Sequence, residues 1–233
     1  MRPLTDQTPK PLLKVGGRSL IEWHLIKLAA AGLTNVVVNN AWLGKQIETY
    51  LGDGSRWNVR IRHSHEETAL ETAGGVAKAK PWAGDEPFLV INGDVWTDWD
   101  PALALDHGQS LARSPSQLAH LVLVPNPPQH QAGDFWLDQN HQVIDQIDDD
   151  PASQPSHPPS TRLTFSGIGI YKPSLFEGIS GTEPVALAPL LRNAMRAKKV
   201  AGSLHTGQWH DIGTVDRLER LDQQLEQQGY GDI

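Results

Sequence analysis

Residues 19–40 read "SLIEWHLIKLAAAGLTNVVVNN", a helical pattern followed at once by a strand pattern. Ser19 and Glu22 have the S-x-x-E spacing of a capping box, in which each side chain satisfies a backbone N–H that a helix start leaves unpaired. Apolar residues then recur at helical spacing, and Gly32 stands where a helix ends in the left-handed conformation. "NVVVN" is a short continuous apolar run, of the kind shown by a strand covered on both faces. The alternation continues outward. Residues 43–51 read as a helix, "VRIRHS" as a strand, residues 73–80 as a helix, and "FLVINGD" and "HLVLV" as strands, the last ending at Pro125. Strands alternating with helices imply crossover connections and a mostly parallel sheet, so the class is α/β.

Beyond Pro125 the pattern loosens. "DFWL" and "QVIDQI" read as short antiparallel strands, and residues 149–160, "DDPASQPSHPPS", as an exposed loop. "RLTFSGIGIY" is a strong strand able to pair back onto the same sheet, so residues 1–233 are read as a single domain. Two helical patterns, 186–199 and 215–228, flank "VAGSLH" near the end. With 233 residues the chain can bury a core without staples, and it contains no cysteine, which excludes disulfides, thiolate zinc sites and cysteine nucleophiles. A net charge of -7 argues against a nucleic-acid binder. No apolar run approaches the roughly 18 residues of a membrane span. A cytoplasmic protein acting on small molecules is expected.

In α/β sheets ligands bind beyond the carboxyl ends of strands. "NGD" puts Asp94 at such an end, as a metal or ligand carboxylate or as the cap of a turn. "WHDIGT" puts Trp209, His210 and Asp211 at the end of another strand, with Thr214 as the N-cap of the helix that follows. Two aspartates without cysteine or dense histidine make a hard oxygen site that suits Mg²⁺ better than Zn²⁺. In "LETAGG", Gly74 and Gly75 open a helix whose first N–H groups can approach a ligand, or else they simply form a tight turn. His63 and His65, followed by Glu66, raise a histidine metal site as a further possibility. Asp98 and Asp100 look like solvated loop acids.

The stretches "RPLTDQTPKPLL", "LIEWHL", "NNAWLGKQI", "LETAGGV", "NGDVWTD", "TFSGIGIY" and "WHDIGT", in that order, resemble the sugar-1-phosphate nucleotidyltransferases, or nucleotide-sugar pyrophosphorylases. Within that family the motifs are most similar to the branch that uridylylates N-acetylmuramate 1-phosphate in peptidoglycan recycling. The resemblance implies a Rossmann-like mixed, mostly parallel sheet flanked by helices, and transfer of a nucleotidyl group from UTP to a sugar 1-phosphate with release of pyrophosphate. It implies Mg²⁺ held by Asp94 and Asp211, and Lys10, set between two prolines, on the substrate phosphates. Glu71, Thr72, Gly75 and Asn92 would bind the nucleotide, and Asn126, Asp134, Gly167 and Trp209 the sugar. The partners would be small molecules, with no nucleic acid and no membrane, and the protein a monomer or small homo-oligomer. Ala73 stands where the muramate branch more often has glycine, so GTP or dTTP with mannose or glucose 1-phosphate stays open. Family members carry L-A-A-G-x-G-x-R before the Met of M-R-P-L-T, and here that Met is Met1, so the first strand and phosphate loop are expected to be missing. A non-catalytic nucleotide-sugar binding or regulatory module is the alternative this raises.

Overall fold

A computed structural model describes residues 1–145 and 162–230, so the proline-rich 149–160 segment lies outside the described residues. In chain order the elements are α1 (Leu4–Gln7), a single 3-10 turn (Lys10–Leu12), β1 (Lys14–Val15), β2 (Arg18–Ser19), α2 (Leu20–Ala30), β3 (Asn35–Asn40), α3 (Gly44–Leu51), β4 (Arg60–His65) and α4 (Glu71–Ala83). They continue with β5 (Phe88–Ile91), β6 (Val95–Thr97), α5 (Leu103–Arg113), β7 (Ala119–Val124), β8 (Trp136–Leu137), β9 (Val143–Ile144), β10 (Thr164–Tyr171), α6 (Leu187–Arg196), β11 (Val200–Leu204), β12 (Trp209–Asp211) and α7 (Val215–Gln227). The class is α/β with a mixed sheet, as the alternating pattern requires. The chain divides into two compact units, one built from residues 1–70, 92–102 and 208–233, the other from 71–91 and 103–207.

In the first unit α2 forms as its caps dictate. Ser19 and Glu22 make the reciprocal capping box, Glu22 accepting from the Ser19 N–H at 2.9 Å, and at the other end Leu33 N–H donates to Leu28 O and Gly32 N–H to Ala29 O around a glycine at φ 77°. One face of α2 packs through Leu20 and Trp23 against Val15, Trp96, Ile212 and three leucines of α7, Leu218, Leu221 and Leu225, spaced three and four apart. Its Ile21 and Leu25 join Ile47, Leu51, Trp57, Val59 and Ile61 in a second cluster. The β1–β2 hairpin turns on Gly16 and Gly17, both at positive φ, and Gly16 N–H donates to Asp222 of α7 at 2.7 Å. β3 pairs parallel with β4. The expectation that "NVVVN" is covered on both faces is not met, since Val36, Val37 and Val38 are half-buried. Among the described residues β3 pairs with β4 alone, and a strand at a sheet edge is open to solvent.

The second unit is organised by a four-stranded sheet in the order β11-β7-β10-β5. β7 is central, parallel to β11 and antiparallel to β10, and nearly all of "AHLVLV" is buried as its unbroken apolar run requires. β10 is the "RLTFSGIGIY" strand, which does pair back onto that sheet. Its core joins Leu121 and Leu123 of β7 to Leu187, Leu191 and Met195 of α6 and to Ala73 and Val76 of α4. α5 has no counterpart in the pattern read from the sequence. Only Ala104 and Leu111 of its residues are buried, too sparse an apolar stripe to stand out among polar neighbours.

Candidate active site

The first unit sets two aspartates side by side through a short ladder. β6 and β12 pair antiparallel, with Asp211 opposite Val95 and Trp209 opposite Thr97, and Ile212 N–H donates to the main-chain oxygen of Asp94 at 3.1 Å. Sequence reading placed Asp94 after a single strand. The structure shows β6 beginning just beyond it, because Val95, Trp96 and Thr97 are buried against α2 and β12 rather than looping through solvent. Trp96 is edge-on to Trp23, at 6.3 Å between ring centroids, and its burial anchors the strand that follows Asp94.

Two side chains of α2, His24 buried and Lys27 half-buried, hold β6 from behind. His24 donates through Nε2 to Val95 O at 2.8 Å, and burial lowers its pKa to about 4, against the smaller opposing effect of that hydrogen bond, so the ring is a neutral donor at pH 7. Lys27 donates to Thr97 O at 2.5 Å, and burial lowers its pKa, with Asp98 and Asp100 opposing. Burial likewise lowers the pKa of His210, with Asp98 opposing. Asp100 is exposed, as a solvated acid should be, and also caps the next turn by accepting from Ala102 N–H at 2.9 Å.

Lys10 reaches this ladder because of two prolines and a glycine. Its 3-10 turn follows Pro9 and contains Pro11, and a Cβ on Gly93 would lie only 3.3 Å from Pro11 Cγ, so glycine lets the turn close onto the strand end. Lys10 Nζ then lies 2.7 Å from Asp94 Oδ2. Across the ladder Arg217 Nη1 lies 2.5 Å from Asp211 Oδ2. Each aspartate therefore has one cation on one oxygen, and each side chain is 37% exposed. Asn92 is exposed two residues before Asp94, and Trp209 sits two residues before Asp211 on the same side of β12.

Arg217 was not singled out by sequence reasoning, although a signal was present. Thr214 is the N-cap of α7, as read, and its Oγ1 accepts from Arg217 N–H. That makes Arg217 the third helical residue, where the helix dipole favours acids over cations. A basic residue there calls for a local anion, and Asp211 supplies it.

The second unit holds the remaining candidates. Glu71 and Thr72 are exposed at the start of α4, with Glu71 at φ 55°, a left-handed conformation uncommon outside glycine. Ala73 and Gly74 N–H groups both donate to Val185 O, at 3.0 and 3.2 Å, so the Gly74 donor offered to a ligand is already taken. Gly75 is buried in the same helix. Asn126 and Asp134 come together in a hydrogen-bonded network. Asn126 Nδ2 donates to Gln131 O and Arg162 O while its Oδ1 accepts from Thr164, and Asp134 accepts from Phe165 N–H and pairs with His130 at 3.0 Å. These two side chains brace the start of β10. Gly167 adopts φ 78° at a bulge where the β10–β7 register slips between Phe165 and Ile168. Ser166 Oγ bridges the bulge, donating to Val122 O and accepting from Ile168 N–H.

The histidine metal site is not formed. His63 has both ring nitrogens engaged, by the Asn40 amide at 2.8 Å and by Gly52 O at 2.7 Å, while His65 lies 3.7 Å from Glu48. Asp94 and Asp211 fit a hard divalent cation by their chemistry: both are half-exposed carboxylates at adjoining strand ends, and each is paired to a cation through one oxygen, Oδ2. Among the described residues no set of three or more such ligands converges, so these two residues would leave the remaining ligands of a bound cation to substrate oxygens and water.

The chain matches the nucleotidyl transferase family across residues 1–228. It belongs to that family. It is 50% identical over 220 residues to the N-acetylmuramate alpha-1-phosphate uridylyltransferase of Neisseria meningitidis, covering 94% of this chain and 90% of that protein. With the Caulobacter vibrioides protein of the same name it shares 30% identity over 222 residues, covering 91% of this chain and 86% of that one. A crystal structure from Bacillus anthracis superposes with a TM-score of 0.79 at 19% identity, covering 100% of this chain and 91% of its own, which establishes a nucleotidyltransferase fold shared far beyond sequence likeness. As a nucleotidyl transferase the chain is an enzyme of nucleotide chemistry, and among the described residues no helix is long and apolar enough to cross a membrane.

Proposed function

We propose that this nucleotidyltransferase transfers a uridylyl group from UTP to N-acetylmuramate α-1-phosphate, giving UDP-N-acetylmuramate and pyrophosphate in cell-wall recycling. The observation that carries this reading is the side-by-side pair Asp94 and Asp211, with Lys10 against the first of them. Identity of 50% across nearly the full length of the Neisseria protein supports the choice of substrates.

The sugar phosphate is already an anionic nucleophile, so the reaction needs alignment and charge neutralisation rather than a strong base. An oxygen of the sugar phosphate forms a bond to the α-phosphorus as the bond from that phosphorus to the bridging oxygen breaks, and pyrophosphate leaves with the electron pair. Lys10, beside the strand end, places a positive charge where the phosphates accumulate negative charge. Asp94 and Asp211 would hold a Mg²⁺ ion, which when bound supplies Lewis-acid neutralisation of the triphosphate. Glu71, Thr72, Gly75 and Asn92 form the proposed nucleotide-binding set. For the sugar, Gly167 and Trp209 are proposed as direct contacts, and Asn126 and Asp134 as the brace that sets the β10 bulge.

Product analysis tests the substrate choice. Incubation with UTP, GTP or dTTP and N-acetylmuramate, mannose or glucose 1-phosphate should give UDP-N-acetylmuramate as the dominant product by mass spectrometry. A dominant guanylyl or thymidylyl product would reassign the base, and no nucleotide sugar from any pair would remove the enzyme reading in favour of a binding module.

A further inference from the structure

We propose that Arg217 is a positioning residue for the Asp211 carboxylate, locking one of its oxygens so that the other is presented to a divalent cation. The proposal rests on the metal-assisted reading above. Its basis is a clamp in which one guanidinium nitrogen is shared. Arg217 Nη1 donates to Asp211 Oδ2 at 2.5 Å and also to the main-chain oxygen of Asp211 at 3.1 Å, which ties the side chain to its own strand. Arg217 Nε approaches Thr214 Oγ1 at 3.4 Å, so the N-cap threonine touches the guanidinium as well as the helix backbone.

Gly213 is part of the same device. A Cβ built there would lie 2.4 Å from Arg217 Nη2 and 3.0 Å from Cζ, so the guanidinium crosses the "DIGT" turn in space that only glycine leaves open. This gives the glycine of that motif a reason that a tight turn alone does not, because it does not adopt a positive φ. The clamp is only partly open to solvent, the Arg217 side chain being 27% exposed. A helix cap would need Thr214 alone. The additional bonds to both oxygens of Asp211, side chain and main chain, are what a device for fixing a carboxylate requires, and such partners of a ligand commonly alter metal affinity by about 10–100-fold.

The test reads Mn²⁺ binding to the nucleotide-free protein by loss of the free-ion electron paramagnetic resonance signal, with circular dichroism as the folding control. Arg217→Gln should weaken Mn²⁺ binding at least about 10-fold. Gly213→Ala keeps the charge and displaces only the far end of a flexible side chain, and should weaken binding in the same direction. In pyrophosphate release both variants should need more Mg²⁺ for half-maximal rate, with kcat at saturating Mg²⁺ nearer that of the wild type. Wild-type Mn²⁺ affinity in a folded Gly213→Ala protein, or in Arg217→Gln, would overturn the proposal while leaving the enzyme reading in place. Absence of Mn²⁺ binding by the wild type would overturn the metal assignment itself.

Discussion

Asp94 and Asp211 occupy adjoining strand ends. Each stands where the β6–β12 ladder ends, each keeps one oxygen on a cation, and their main chains are linked by the Ile212 N–H. Replacing either by asparagine keeps the shape and removes one unit of charge from the proposed metal site. Asp94→Asn and Asp211→Asn should each lower kcat about 10²–10³-fold in a pyrophosphate-release assay while leaving the far-ultraviolet circular dichroism unchanged. Wild-type turnover in either would exclude that residue from the site. Both aspartates were legible in the sequence, Asp94 at the end of the apolar run "FLVI" and Asp211 in "WHDIGT", just before the Thr214 that caps a helix. Arg217 was not, since its meaning lies in a contact back across six residues and over Gly213, which pattern reading of a helix face does not register.

At the scale of elements, the β10 bulge shows how a short motif shapes a strand. "FSGI" places Gly167 at positive φ and leaves a gap in the ladder that Ser166 Oγ fills with two hydrogen bonds in a buried setting. Ser166→Ala leaves Val122 O and Ile168 N–H short of a partner and should destabilise the protein by about 1–3 kcal/mol, read from the urea midpoint. An unchanged midpoint would show that the bulge rearranges to pair those groups. Elements with both ends marked, such as α2 with its capping box and Gly32, were readable from the chain alone. β6 and α5 were not: β6 is a three-residue strand whose identity depends on pairing with β12 more than a hundred residues away, and α5 buries only Ala104 and Leu111. The half-exposure of β3 was also hidden, since an apolar run carries no record of which edges are paired.

Across the whole molecule, buried neutral histidines tie stability to pH. Burial lowers the pKa of His24 to about 4 and that of His120, stacked on His107 at 3.8 Å, to about 3. A group whose native pKa is depressed contributes stability that is full above its unfolded value, near 6.5 for histidine, and is lost as pH falls toward the native value. Between pH 7 and pH 5 each of these histidines should therefore cost about 2 kcal/mol. His24→Gln retains a donor for Val95 O and cannot titrate, so its urea stability should fall by about 2 kcal/mol less over that interval than that of the wild type. Equal losses in the two proteins would mean that His24 is protonated in the native state. The α/β class and the family could be read from the order of motifs along the chain. Its division into two compact units could not, because residues 92–102 and 208–233 return to the first unit from distant points in the sequence.

The proposed reaction is nucleotidyl transfer assisted by a cation at Asp94 and Asp211. The most direct measurement is the initial rate of pyrophosphate release from UTP and N-acetylmuramate α-1-phosphate across a Mg²⁺ titration, for the wild type beside Asp211→Asn. Saturable, Mg²⁺-dependent release is expected, requiring both substrates and all but lost in Asp211→Asn. Release that is indifferent to Mg²⁺ or undiminished in Asp211→Asn would contradict it.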